Sequence, residues 1–202
     1  MMQKNVAKII SAIFHPFLIP SIGYLVLLNS DFYFSLISGE AKRFILLVIF
    51  FSTAILPLLA VAIMAFSPKF DMKMENIRDR ILPLLLTAVF YYIGFLLLSR
   101  VHIFSVFKLF LIASVLVLVI LLLITFKWKI STHMTAVGGM TATIIALSFR
   151  SGVNPVITII LAIIVSGLVG SARLILQKHN LWQLAAGYLL GFSVLYGVVY
   201  FT

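Results

Sequence analysis

The sequence predicts an all-α, polytopic bundle of six to seven transmembrane helices, and its composition is the main reason. Hydrophobic residues make up 63% of the 202 residues and charged residues make up 10%. Soluble domains average about 45–50% apolar and about 25% charged residues. A chain of this length cannot bury such an apolar excess in a water-soluble core, so lipid must cover much of it. Residues 1–202 are therefore expected to form a single integral membrane domain.

Seven apolar stretches follow one another along the chain, and each is close to the roughly 20 residues of a spanning helix. They cover residues 7–29, 43–67, 81–99, 106–126, 134–149, 155–172 and 183–202. Their length favours helices over strands, because a membrane barrel would show alternating segments of about ten residues. If all seven span the membrane, the N-terminus and the loops 68–80, 127–133 and 173–182 share one face.

The first and fifth stretches depart from a simple apolar helix. The first is interrupted by HPFLIP at residues 15–20, so it either spans the membrane or re-enters it. Together with the basic MMQKNVAK before it, this stretch is similar to a signal peptide. No small-residue cleavage pattern follows, so we predict a retained membrane segment. The fifth stretch is short and rich in small residues, as in MTAVGGMTAT.

The charge and the absence of cysteine narrow the possible classes of function. The net charge is +10, but the Lys and Arg residues lie in short loops. Such placement indicates anionic lipid headgroups or membrane topology rather than nucleic acid as the partner. Without cysteine the chain has no disulfide, thiol nucleophile or thiolate metal ligand. We expect a bacterial inner membrane as the location, with orientation and oligomeric state left open.

Three loops on the shared face carry polar residues at a membrane boundary. They hold Lys73 and Arg80, Ser131 and His133, and Arg173 and His179. Taken singly, the pairs have ordinary explanations, namely a solvated loop, a helix N-cap and an arginine that reaches toward the headgroups. On one continuous helix Arg173 and His179 would point about 120° apart, so only a break near residues 177–180 lets both face one pocket.

Together these six residues are the groups that phosphoryl transfer needs. Cations bind phosphoryl oxygens and stabilise the developing charge. A neutral histidine can attack phosphorus and carry it covalently, and a second histidine can protonate the leaving oxygen. No carboxylate and histidine cluster indicates a metal site, so we predict a reaction without metal or other cofactor.

The same residues resemble the three motifs of the type 2 phosphatidic acid phosphatase (PAP2) superfamily of integral membrane phosphatases. Those motifs are K-x6-R-P, P-S-G-H and S-R-x5-H-x3-D. This chain reads Lys73-x6-Arg80-Ile81, Ile130-Ser131-Thr132-His133 and Ala172-Arg173-x5-His179-x3-Gln183. The resemblance covers residues 73–191 as a PAP2-like core and leaves the N-terminal helices of residues 1–67 outside it.

The resemblance implies a role for each matched residue. His179 would be the nucleophile that forms a phosphohistidine, and His133 would be the general acid for the leaving group. The remaining matched residues would bind the substrate phosphate: Lys73, Arg80, Ser131 and Arg173.

Five positions depart from the family pattern, and two of them, Ile81 and Ile130, stand where the motifs have proline. Gln183 stands where the family has the Asp that orients the nucleophile. Its carbonyl can still accept the imidazole Nδ1–H, but it carries no negative charge. In a serine-protease triad the analogous Asp→Asn change costs on the order of 10⁴ in rate, chiefly through the tautomer. Thr132 and Ala172 replace a glycine and a serine of the family motifs.

Three functions follow from these observations. The first is a membrane phosphatase acting on a lipid phosphate or diphosphate, such as an isoprenyl diphosphate, phosphatidic acid, phosphatidylglycerol phosphate or a lipid A phosphate. The second is a catalytically degenerate relative that binds or moves anionic lipid headgroups without hydrolysis, which Gln183 and Thr132 favour; the variant Gln183→Asp would separate the two. A small transporter is the third, although the sequence has no clear inverted repeat and its ionisable residues gather at one boundary.

Overall fold

The computed structural model describes residues 2–30, 32, 37–67, 77–101 and 105–202, and over these ranges the chain is helical and has no strand. The helices are α1 (Met2–Ile13), α2 (Ile19–Asn29), α3 (Gly39–Phe50), α4 (Leu56–Met64), α5 (Ile77–Ser99), α6 (Ser105–Thr125), α7 (Thr132–Ser151), α8 (Val156–Ile175) and α9 (Leu181–Phe201). A π-helical turn, Phe51–Ile55, joins α3 to α4. The prediction of an all-α fold is confirmed for the described residues.

Within the described part of the chain, five helical segments are long and apolar enough to cross a membrane. They are Gly39–Met64, Asp79–Ser99, Ser105–Thr125, Val156–Ile175 and Leu181–Phe201. Each coincides with one of the seven apolar stretches. The chain is therefore an integral membrane protein by the length and composition of its helices. The two remaining stretches, the first and the fifth, do not meet the same criteria.

The first stretch is divided into two short helices because HPFLIP breaks it. α1 has 12 residues and α2 has 11, so each is shorter than the roughly 20 residues of a single span. Pro16 has no backbone N–H to continue α1, and Pro20 lies in the first turn of α2, where the missing N–H is not needed. The carbonyl of His15 accepts from the N–H groups of Leu18 and Ile19, which turns the chain into α2.

The fifth stretch is α7, a 20-residue helix whose threonines and glycines place it outside the five apolar segments. Those small residues allow very close packing against α9. A Cβ on Gly191 would lie 1.9 Å from the carbonyl oxygen of Thr135, and one on Gly187 would lie 2.6 Å from that of Ser131. The two helices therefore run in the same direction with their backbones in contact.

This close packing places the N-termini of α7 and α9 side by side. The backbone N–H of Ser131 donates to the carbonyl of Gln183 at 3.1 Å. Two more elements reach the same end of the bundle. Arg80, near the start of α5, donates from Nη2 to the carbonyl of Ile130 at 3.3 Å, and Ser11, in α1, lies against the start of α7. Residues from four helices thus meet at one end.

Candidate functional site

A cavity of about 460 Å³ lies between the helices at this end of the bundle. Apolar side chains from α4, α5, α6, α7 and α9 form one part of its wall. Basic side chains line the other part: His15, Arg80, Lys129, His133, Arg173, Lys178 and His179. No described Asp or Glu lines the cavity, and Asp79, next to Arg80 in the chain, is not in its wall. The described part of this wall is therefore basic and has no acidic side chain in it.

Four of the predicted site residues line this one cavity: Arg80, His133, Arg173 and His179. Ser131 and Gln183 do not line it. Gln183 is hydrogen-bonded to His179, and Ser131 precedes Thr132, which is in the wall. Lys73 lies outside the described residues, so its role as a phosphate ligand stays a prediction.

Arg173 and His179 both line the cavity because the helix breaks between them, which is the condition that their spacing in the sequence sets. α8 ends at Ile175, α9 begins at Leu181, and Gln177 has a φ of 53°. A left-handed residue cannot continue a right-handed helix. The loop from residue 176 to residue 180 therefore turns His179 toward the arginine at the end of α8.

Hydrogen bonds around Gln183 fix the tautomer of His179. Asn180 caps α9: its side-chain oxygen accepts from the backbone N–H of Gln183 at 2.9 Å. In return, the backbone N–H of Asn180 donates to Gln183 Oε1 at 3.2 Å, which completes a capping box. Because this atom accepts from an N–H, it is the amide oxygen. It lies 3.1 Å from His179 Nδ1, which therefore donates to it and carries the ring proton.

The remaining ring nitrogen of neutral His179, Nε2, carries a lone pair. Burial, and next the charge of Arg173, lower the pKa of His179 to about 4. A histidine ordinarily titrates near 6.5, so His179 is neutral at pH 7. The side chain thus has the protonation state and the tautomer of a nitrogen nucleophile.

His133 has the opposite arrangement of its ring nitrogens. Its Nε2 lies 3.2 Å from the carbonyl oxygen of Ser11, which can only accept, so Nε2 carries the proton and donates. Nδ1 is buried and has no hydrogen-bond partner. In the neutral ring this nitrogen carries a lone pair. His133 can therefore accept a proton at Nδ1 and can donate one only after it has done so.

Two arginines contribute donors that no described residue satisfies. Arg80 Nη1 and Arg173 Nε are buried and lack a hydrogen-bond partner. Buried N–H groups are almost always paired, and an unpaired one costs about 1–3 kcal/mol, more for a charged group. Open donors beside a cavity that has no described acid indicate a place for an anion.

Ser131 occupies the N-cap of α7, and its hydroxyl serves that helix. The side chain is fully buried, with 0% exposure, and Oγ accepts from the backbone N–H of Met134 at 3.4 Å. The adjacent Thr132, which begins α7, lines the cavity instead. Two helix N-termini, those of α7 and α9, thus lie beside the basic residues, and their dipoles favour negative charge there.

Sequence reasoning missed three basic residues of the cavity wall: His15, Lys129 and Lys178. His15 was considered only as part of the interruption of the first stretch. Its ring packs edge-to-face on His133 with centroids 5.5 Å apart. The dipeptide His-Pro in an apolar stretch was the available signal, but no spacing rule connects it to residues more than a hundred positions away.

Comparison with protein-family models, curated proteins and solved structures gives no match to this chain. The possible chemistry of the site is therefore inferred from the geometry and charges of the residues that form it. The described residues hold no group of three or more His, Asp or Glu side chains placed for a metal ion, and catalysis without a metal stays a prediction. The arrangement can bind an anion between arginines, lysines and helix N-termini, and it holds a neutral imidazole beside that anion.

Proposed function

We propose that this chain is a membrane phosphohydrolase that removes phosphate from a lipid phosphate or diphosphate through a phosphohistidine at His179. One observation carries the proposal: a basic cavity without a described acid adjoins a neutral histidine whose Nε2 lone pair is available. An imidazole kept neutral among cations suits nucleophilic attack on an anionic phosphoryl group, because the cations lower the repulsion that the attack would otherwise meet.

The cavity suits a substrate with a charged head and an apolar tail. Arg80 and Arg173 supply unpaired N–H donors, and Lys129 adds a third cation to the wall. Such charge-assisted hydrogen bonds are about twice as strong as neutral ones. The apolar walls continue from the basic residues along α6 and α7 to Phe110 and Met140. A hydrocarbon tail can occupy this part while the phosphate remains between the arginines.

The reaction proceeds in two steps. His179 Nε2 attacks phosphorus, a P–N bond forms and the P–O bond to the leaving group breaks. The leaving oxygen takes a proton from Nδ1 of His133, which received it from the monoprotonated phosphate; the bound anion favours the imidazolium form. A water molecule then attacks phosphorus, one of its protons passes to His133 Nδ1, and the P–N bond breaks. His133 returns this proton to the inorganic phosphate, which leaves as the monoanion, and both histidines are neutral again. No net proton or electron is left over.

We propose further that α7 and the α1–α2 pair complete a bundle of six to seven spans with the core of type 2 phosphatidic acid phosphatases. α7 has 20 residues, a length of about 30 Å, and this equals the hydrocarbon thickness of a bilayer. Most of its side chains are buried among its neighbours, which allows a polar helix at membrane depth.

Binding of anionic headgroups without turnover is the second candidate. It is favoured by Gln183, which gives His179 no negative charge, and by the His133 proton, which points to Ser11 rather than into the cavity. Both features leave anion binding intact and weaken catalysis.

Phosphate release by the purified, full-length protein in detergent–lipid micelles tests the proposal. We expect turnover of a single-chain lipid phosphate by the wild type and its loss, by 10³-fold or more, in His179→Ala. His133→Ala is expected to lose about 10²–10⁴-fold, as a general acid does. Arg43→Ala removes an exposed cation that does not line the cavity and is the matched control.

Trapping of the covalent intermediate separates the two candidates. Brief exposure to ³²P-labelled substrate is expected to leave an acid-labile, base-stable label on the wild type and on Arg43→Ala, and none on His179→Ala. Equal phosphate release from the wild type and both histidine variants would overturn the hydrolase. Tight headgroup binding without release or label would support the binding protein.

A further inference from the structure

His15 lies in the cavity wall although it belongs to the N-terminal helices, outside the part of the chain that resembles membrane phosphatases. The side chain comes from the turn between α1 and α2, and it contacts two aromatic rings. The ring centroid of His133 is 5.5 Å away and that of Phe17 is 4.7 Å away, both edge-to-face. These contacts fix the plane of the His15 ring beside the basic residues.

A local hydrogen bond fixes the tautomer of His15. The backbone N–H of Phe17 donates to His15 Nδ1 at 3.3 Å, so Nδ1 carries a lone pair and the ring proton is on Nε2. Phe17 is two residues after His15, and the turn at Pro16 between them brings its N–H back to the histidine ring. Nε2–H has no hydrogen-bond partner among the described residues, and protein atoms do not enclose it.

The ring is neutral at pH 7, which makes Nε2 a donor without charge. Burial, and next the charge of Arg173, lower the pKa of His15 below its ordinary value. The Nε2–H of His133, by contrast, already donates to the carbonyl of Ser11. Of the two rings in contact, His15 is thus the one with a proton available to a bound oxygen.

We propose that His15 is a phosphate-binding residue of this site, whose Nε2–H donates to an oxygen of the bound phosphoryl group. The inference rests on the proposed function only in taking a phosphate as the anion. It makes the turn between α1 and α2 part of the site and not only a packing element. His15 and His133 then divide the work: the first donates to the anion, and the second exchanges a proton with it through Nδ1.

Two substitutions separate hydrogen bonding from packing. His15→Gln places an amide N–H near the position of Nε2 and is expected to keep the donor. His15→Phe keeps the ring volume and the edge contact with His133 but has no N–H. Lys8→Ala, on the exposed surface of α1, is the control for changes in that helix.

Inorganic phosphate is the probe, and its affinity for the full-length protein in detergent micelles is measured by titration calorimetry. We expect His15→Phe to bind phosphate about tenfold or more weakly, since a hydrogen bond to a charged group stabilises by about 1.5–3 kcal/mol. His15→Gln and Lys8→Ala are expected to stay within about threefold of the wild type. Affinity of His15→Phe within twofold of the wild type overturns the inference, as does an equal loss in His15→Gln.

Nitrogen NMR of histidine-labelled wild-type protein gives a second measurement, independent of whether His15→Phe folds. The resonance missing from His15→Gln identifies His15, and phosphate is expected to shift its Nε2–H. No shift at saturating phosphate, or no phosphate binding by the wild type, overturns the inference. Phosphate release is measured separately: a wild type that binds phosphate through His15 but never releases it from lipid contradicts the hydrolase and leaves His15 as a ligand.

Discussion

Replacing Gln183 by Glu measures what the missing carboxylate costs, because the two side chains have the same length and differ in charge. Gln183 Oε1 accepts from His179 Nδ1 at 3.1 Å and from the backbone N–H of Asn180 at 3.2 Å. Glu makes the same bonds at this position of a capping box. In a serine-protease triad, Asp→Asn costs on the order of 10⁴, chiefly because the imidazole takes the wrong tautomer. Here the backbone N–H of Asn180 already holds the amide oxygen of Gln183, and not its NH₂ group, toward His179 Nδ1, so the tautomer is the same with Gln or Glu.

Only the effect of the charge is therefore left for Glu to add. A charge-assisted hydrogen bond stabilises by about 1.5–3 kcal/mol, compared with about 0.5–1.5 kcal/mol for a neutral one. The difference of about 1–1.5 kcal/mol corresponds to about tenfold in rate. The carboxylate is also expected to raise the pKa of His179 from about 4 by about 1–3 units. That leaves the ring largely neutral at pH 7.5.

The assay is phosphate release from a single-chain lipid phosphate at pH 7.5, with Gln183→Leu as the variant that has no acceptor. We expect Gln183→Glu to turn over about tenfold faster than the wild type, and Gln183→Leu to lose most of the activity. A gain above about 10³-fold would refute the reasoning, since it would mean that Gln183 does not hold the productive tautomer. Nitrogen NMR checks the same point directly: wild-type His179 should carry its proton on Nδ1.

The remaining predictions concern packing, capping and pH. Gly191→Ala forces a Cβ to within 1.9 Å of a carbonyl oxygen of α7, so unfolding in detergent should be easier by about 1–3 kcal/mol; Gly197→Ala, which meets open space, should show no loss. Ser131→Ala should cost about 1 kcal/mol of stability through the lost cap and weaken phosphate binding far less than Arg173→Ala does. Because the pKa of His179 is about 4, its ring gains a proton, and the nucleophile is lost, only as the pH falls through that value; an NMR midpoint near 6.5 in the phosphate-free protein would contradict this.

Hydropathy along the sequence was sufficient to predict the five long apolar helices. It was insufficient to predict the structure of the first and fifth stretches, which depends on packing against other helices. The apolar stretch predicted at residues 106–126 corresponds to the helix Ser105–Thr125, because a long apolar run is enough to identify a spanning helix. Pro57 did not break the second stretch, since the π-helical turn before it rearranges the backbone hydrogen bonds. α7 could not be assigned by hydropathy. Its place depends on Gly187 and Gly191, which are in another helix.

The site divides in a similar way. Spacing within a motif placed Arg173 and His179 at the two ends of a short loop and showed that they could meet only if the helix broke near residues 177–180. The break itself, at the left-handed Gln177, is a finding of the structure. The role of Ser131 was less accessible, since a serine before a helix looks the same whether its hydroxyl faces a ligand or caps the helix. His15 could not be found at all, because only the packing of α1 against α8 and of α2 against α7 brings it to His133.

The described wall of the cavity has the composition expected of an anion-binding site rather than of a structural charge cluster. A structural cluster pairs its cations with carboxylates, since an unpaired buried charge costs several kcal/mol. Here Arg80 and Arg173 have unpaired buried donors, and Asp79 lies next to Arg80 in the chain without reaching the cavity. We expect an anion bound in the cavity to accept from those donors, which would offset the cost of holding two arginines and three histidines so close together.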